Sequence, residues 1–361
     1  MSRTPPGRRT YIDIARGIAV LLMIEAHTTD AWTRAASKTG AAFRDATILG
    51  GFAAPMFLWL AGVGVVLSAS RTLARSGSRR VACDNVVRRG LEIYLLAFLF
   101  RLQAFIVSPG GSAVMLFRVD ILNVMGPAIA LAGVLWFIAG GQLRQVLAFA
   151  IVATAVAVVT PIVRGSPLVD VLPTWIQWHL RPAGDQTTFT AFPWTGFVFA
   201  GGAAGVVIAA ARDDRSERRA LVGCAAAGFA LVVLGLVTAL RPSLYASASF
   251  WTSSPTWFAI RVGVLMMALA ALRVLGDSSV LAPIAHMGRA SLFVYWIHVE
   301  LVYGYASWWW RGRLPLAGTV AALVAFSTLM YGAVVLRDRV VAAWQVAKPL
   351  YNRQPRNQEA L

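Results

Sequence analysis

A chain of 361 residues that is 58% hydrophobic and only 14% charged is not an ordinary soluble domain, in which about a quarter of the residues carry charge. Apolar runs of about 20 residues recur from one end to the other, which marks a polytopic α-helical membrane protein and excludes the alternating strands of an outer-membrane barrel. The net charge of +17 does not signal nucleic acid, because the basic residues sit mostly in segments between the apolar runs.

Ten helices are predicted, over 11–30, 49–70, 86–107, 120–139, 143–163, 191–211, 219–240, 255–275, 284–307 and 315–336. The first begins near Tyr11 with no small-residue cleavage site after it, so it reads as a retained helix. The 164–190 connection contains VDVLPTWIQWHL, a candidate short amphipathic helix. The tail from Arg337 is basic, with Val340, Val341, Trp344 and Ala347 at helical spacing, which suits an interfacial helix. Cys83 and Cys224 give neither a disulfide framework nor a metal pattern. The expected fold is an all-α integral membrane protein of about ten helices. It divides into an N-terminal segment 1–10, a membrane domain 11–336 and a basic tail 337–361.

Lys and Arg set the orientation. With the N-terminus in the cytoplasm, the inner segments hold 21 of the 33 basic residues and the outer segments 9. Both termini are therefore expected in the cytoplasm, with 164–190 outside.

The first span, DIARGIAVLLMIEAH, carries Asp13, Arg16, Glu25 and His27. At about 100° per residue, Arg16 and His27 differ by roughly 20° in azimuth and share a face. A rise of about 1.5 Å per residue separates them by roughly 16 Å along the axis. Asp13 lies three before Arg16 and can pair with it, whereas Glu25 points elsewhere. Ionisable groups inside a span usually mark a functional pathway. Arg101, Asp120, Arg261, His298 and Glu300 are expected in the outer halves of their own spans, where opposite charges offset one another. A simple Asp13–Arg16 clamp with a packing histidine is the structural alternative.

RTYIDIARGIAVLLMIEAH resembles the first helix of the transmembrane acyltransferase superfamily, with the Arg-ten-residues-His spacing of its acyltransferase-3 type. GGFAAPMFLWLAGVGVVLS, RVDILNVMGPAIAL, FPWTGFVFAGGAAG and MGRASLFVYWIHVELVYG, in that order, resemble segments of bacterial relatives of the heparan-α-glucosaminide N-acetyltransferase catalytic domain. The resemblance implies transfer of an acyl group, acetyl above all, from cytoplasmic acyl-CoA to a sugar of an envelope glycan or glycolipid beyond the membrane. It implies a plasma-membrane location, no tightly bound cofactor and no metal. It implies His27 as the catalytic histidine and Arg16 as part of the donor site. The animal heparan enzymes have Asn where His27 stands and their catalytic histidine in the following loop. Here loop 28–48 has no histidine, and Lys38 lies near that place, which favours sugar O-acylation.

Acyl transfer needs a base near neutral pKa, which imidazole supplies, and a group that fixes its tautomer. Glu25, Asp120 and Glu300 are candidates for that second group, and His298 is a second candidate catalytic histidine. A donor must also stabilise the developing oxyanion. Arg101, Arg261, Asn123, Tyr295 and Trp194 are candidates to hold substrate or supply it. RTLARSGSRR and DNVVRR place Arg79, Arg80, Arg88 and Arg89 where CoA phosphates would be held. A transporter or flippase of a lipid-linked sugar or small anion is the alternative function, though no internal repeat supports it.

Overall fold

The computed structural model describes residues 9–107, 112–246, 248–275 and 278–351. The rest of segments 1–10 and 337–361, with Arg3 and Arg8, lies outside the described residues.

Thirteen α-helices lie among the described residues. They are α1 (Thr10–Trp32), α2 (Ala41–Gly50), α3 (Ala53–Ser76), α4 (Arg79–Val107), α5 (Ile121–Ala139), α6 (Gln142–Gly165) and α7 (Thr174–Leu180). They continue with α8 (Ala191–Ala209), α9 (Asp214–Ala239), α10 (Pro255–Leu275), α11 (Ala282–Arg289), α12 (Ser291–Tyr303) and α13 (Leu316–Tyr351). Among the described residues, eight stretches are long and apolar enough to cross a membrane, or nine if the broken pair α11–α12 counts as one span. Helix α1 has the length but not the apolarity. Every 18-residue window of it holds at least three of Asp13, Arg16, Glu25 and Asp30.

The spans sit close to their expected places, with three differences. The ninth is not continuous: α11 and α12 meet at Ala290 with a bend of 76°. Helix α4 starts at Arg79, ahead of the expected 86, because the basic run before the apolar stretch is itself helical. Helix α13 runs unbroken past 336 to Tyr351, so residues 337–351 extend the last span rather than starting a new helix. The 164–190 connection does contain a short helix, α7.

The bundle has two ends. At the basal end, the start of α1 meets the start of α9, where Arg9 Nε and the Tyr11 hydroxyl both donate to Glu217 Oε1, at 3.0 and 2.6 Å. At the apical end, the loop before α13 is laced to the end of α1 by backbone bonds, Gly312 N to Ala31 O and Leu314 N to Trp32 O. Leu91, Leu95, Leu99, Leu102 and Ile106 form an exposed apolar stripe along α4. Such a stripe suits lipid, since a helix satisfies its own backbone.

Small residues set the helix spacing. A Cβ built on Gly17 would lie 1.9 Å from the Ile284 carbonyl oxygen, and one on Gly288 2.0 Å from that of Asp13. Helices α1 and α11 therefore touch backbone to backbone, the close approach that small residues permit between membrane helices. The bend at Ala290 then turns α12 back toward the apical half of α1.

Candidate functional site

A cavity of about 1120 Å³ runs between the two ends of the bundle. That exceeds the usual 300–1,000 Å³ of a single small-molecule site. Its wall includes both Arg16 and His27 of α1, so the polar stripe read from the sequence faces it along most of that helix.

At the basal end the cavity is lined by Arg16, Ser68, Asn85, Arg89 and Arg289. Arg16 lies 4.0 Å from Asp13, which is itself buried. A Cβ on Gly64 would sit 3.1 Å from the Arg16 guanidinium, so the missing side chain leaves room for it. Of the other expected donor-site residues, only Arg89 lines the cavity. Arg79 donates to the Trp136 and Phe137 carbonyls and stacks on the Trp136 ring at 4.4 Å, which occupies it as a cap on the end of α5. Arg80 is exposed and does not line the cavity, and Arg88 faces outward toward Glu92 with its side chain 82% exposed. Helical geometry explains the difference: Arg89 is one step, about 100°, from Arg88.

At the apical end the cavity meets a pair of histidines. His27 Nδ1 lies 2.9 Å from His298 Nε2. His298 is fully buried, and its Nδ1 lies 2.9 Å from the carbonyl oxygens of Val294 and Tyr295. A carbonyl only accepts, so His298 Nδ1 carries the proton and His298 Nε2 accepts. His27 Nδ1 must then be the donor, which leaves the lone pair of a neutral His27 on Nε2. That nitrogen has no protein partner among the described residues, and His27 borders the cavity.

The tautomer of His27 is thus set by His298 and not by a carboxylate. Glu25 lies on another face of α1, where its Oε1 accepts from Thr29 and its side chain borders a separate groove between α1, α11 and α13. Asp120 borders the cavity, but its oxygens are committed. Oδ1 accepts from Leu122 N at 3.0 Å as the cap of α5, and Oδ2 accepts from Arg101 at 2.5 Å. Asn123 completes that capping box by accepting from Asp120 N. It is buried behind the cavity wall, which removes it from the substrate-facing set.

Arg101, Trp194, Arg261, Tyr295 and Glu300 all line the cavity. The Tyr295 ring is 6.0 Å from that of His298, and its hydroxyl has no protein hydrogen bond among the described residues. Sequence reading did not single out Ser68, Asn85 and Arg289 at the basal end, or Asp30, Arg118, Trp251, Tyr303 and Arg311 toward the apical end, all of which line the wall. The Tyr303 ring packs edge-on to His27 at 5.6 Å, and its hydroxyl donates to Asp30 Oδ2. Asp30 was legible, being three residues beyond His27 on the same helix. Arg118 and Arg311 sit in connections, where no periodicity fixes a direction. Among the described residues no cluster of His, Cys, Asp or Glu has the arrangement of a metal site.

A many-helix bundle with a histidine pair at one end of an arginine-lined cavity defines a polytopic membrane protein built around an internal cavity. The chain belongs to the family described as heparan-alpha-glucosaminide N-acetyltransferase, catalytic, whose model matches residues 8–235. It is therefore a member of a family of membrane acetyltransferases. The matched stretch includes Arg16, His27, Arg101, Asp120 and Trp194, and ends before Arg261 and His298. No curated protein matches the chain.

Proposed function

We propose that the protein moves an acyl group, acetyl above all, from cytoplasmic acyl-CoA to a sugar hydroxyl or amine of an envelope glycan or glycolipid on the far side of the plasma membrane. The single observation that carries this reading is one cavity joining a basal cluster of arginines to the histidine pair. CoA phosphates suit Arg16, Arg89 and Arg289 at the basal mouth, and the acyl-pantetheine arm suits the apolar length between.

The chemistry at the apical end follows from the tautomers. His27 Nε2 takes the proton from the acceptor hydroxyl or amine as its O or N bonds to the thioester carbonyl carbon. The C–S bond then breaks, and the proton held on His27 Nε2 passes to the departing CoA thiolate, which restores neutral His27. The Tyr295 hydroxyl and Arg101 are the candidate donors to the tetrahedral oxyanion. His298 holds its neighbour in the reactive tautomer and accepts hydrogen-bond density as His27 becomes cationic.

The reading is tested with purified protein in proteoliposomes, acetyl-CoA carrying a labelled acetyl group on one face and an envelope glycan and glycolipid fraction on the other. Label appearing in the acceptor fraction supports it. Passage of intact sugar without acylation overturns it in favour of transport. Arg16→Ala is expected to weaken acetyl-CoA binding by about 10- to 150-fold, the equivalent of one charge-assisted bond of about 1.5–3 kcal/mol. An unchanged dissociation constant would leave Asp13 and Arg16 as a structural clamp. Orientation is tested by a cysteine placed at residue 170. Labelling in intact cells is expected, whereas labelling only after permeabilisation means that the bundle is inverted.

A further inference from the structure

Beyond Arg101, the apical chamber holds three arginines that the transfer mechanism does not use. Arg101, Arg118, Arg261 and Arg311 all line it, and the Nε of each is buried without a hydrogen-bond partner among the described residues. Arg101 is paired with Asp120. The other three form no ion pair among the described residues. Arg118 donates to the neutral Thr188 hydroxyl at 3.0 Å, and Arg311 to the backbone carbonyls of Tyr303 and Gly304.

Arg261 is the least satisfied. It makes no hydrogen bond among the described residues, although a guanidinium carries five N–H donors. It is held only by aromatic faces, with its charge 4.7 Å from the Trp257 ring centroid and 6.0 Å from that of Trp194. It lines the chamber, so a group bound there lies within its reach. A desolvated cation without hydrogen bonds is costly and is retained where something completes it. Arg118 tells the same story from outside the spans: burial, then repulsion from Arg101, pulls its pKa below the usual arginine value.

We propose that the apical chamber binds its acceptor through an anionic group, a carboxylate or phosphate, with Arg261 as the principal ligand and Arg118 and Arg311 adding field from other walls. Trp194 and Trp251, which also border the chamber, offer flat faces for a sugar ring beside that group. This deepens the acyl-transfer reading by naming the acceptor class as an acidic sugar or a sugar on an acidic carrier. Arg261 acts in specificity and not in bond making.

The test is binding to the purified full chain in nanodiscs without acyl-CoA, so that it stands apart from catalysis. D-glucuronate and glucose 1-phosphate are titrated against D-glucose. The charged sugars are expected to bind at least about tenfold more tightly than glucose, with Arg261→Gln erasing most of that difference, Arg261→Lys keeping part of it and Arg34→Gln, a surface change outside the cavity, keeping all of it. A second arm compares thermal stability in nanodiscs with and without phosphatidic acid. A stabilisation seen only with the lipid and lost in Arg261→Gln assigns the anion to a carrier headgroup. A stabilisation by soluble sugar acids assigns it to the sugar. Equal binding of glucose and glucuronate with no lipid effect overturns the proposal, as does selectivity that survives in Arg261→Gln. If anion selectivity holds while acetyl-CoA neither binds nor donates, the acyl-transfer reading fails and this one does not.

Discussion

His27→Ala is expected to lower acyl transfer by about 10²–10⁴-fold, the usual worth of a positioned general base. The reason is geometric. His27 Nε2 is the unbonded nitrogen of the pair and borders the cavity, whereas His298 is sealed behind it. Acetyl-CoA affinity should change little, because Arg16 and the basal arginines lie roughly 16 Å away along the helix. The protein should still fold, since the shortened side chain opens onto a cavity. Transfer in proteoliposomes and acetyl-CoA titration on the same sample separate the two effects. Transfer at the wild-type rate by His27→Ala would remove His27 from the mechanism.

His298 gives the matching control as a positioning residue. His298→Gln retains an oxygen able to accept the His27 Nδ1 proton and should keep more activity than His298→Leu. The pH profile of His298→Leu should also move, because nothing then sets the tautomer of His27. Equal losses in both variants with an unmoved profile would mean that His298 only packs.

The second large effect concerns folding. Asp120→Ala is expected to cost about 3–5 kcal/mol, because it strands a buried arginine. The Arg101 and Asp120 side chains are 12% and 4% exposed, so little solvent screens the pair. The substitution also removes the cap of α5, worth about 1 kcal/mol. A sharply lower melting temperature in detergent is expected, with recovery in the double variant Arg101→Leu/Asp120→Ser, which removes both charges and keeps a capping hydroxyl. Asp120→Ala that melts like wild type while losing transfer would reverse the assignment and return Asp120 to the chemistry. The result therefore separates a structural carboxylate from a catalytic one.

Hydropathy needs no tertiary information, because a membrane requires each span to satisfy its own backbone and to present apolar side chains to lipid. The order and approximate limits of the long apolar helices were legible for that reason, though not the extra helix α2 or the break in the ninth span; the shared face of Arg16 and His27 was legible too, since a single helix fixes it. The sequence also placed Arg101, Asp120, Arg261, His298 and Glu300 in the outer halves of their spans and named Trp194 and Tyr295 as candidate substrate groups. It could not rank them, since partnership depends on how helices face one another. Only the packed bundle decided that His298, not Glu25 or Asp120, bonds His27. That outcome needs the bend at Ala290, which leaves α12 as a short helix aimed at α1. Likewise the basic run before α4 reads as one patch, yet rotation about the helix sends Arg89 to the cavity, Arg88 outward and Arg79 to the end of α5. Arg118 and Arg311 stand in connections, where direction is set by contacts with distant segments rather than by period. A helix dictates its own faces; which face meets which is decided by close contacts such as those at Gly17 and Gly288, and these exist only once the chain has packed.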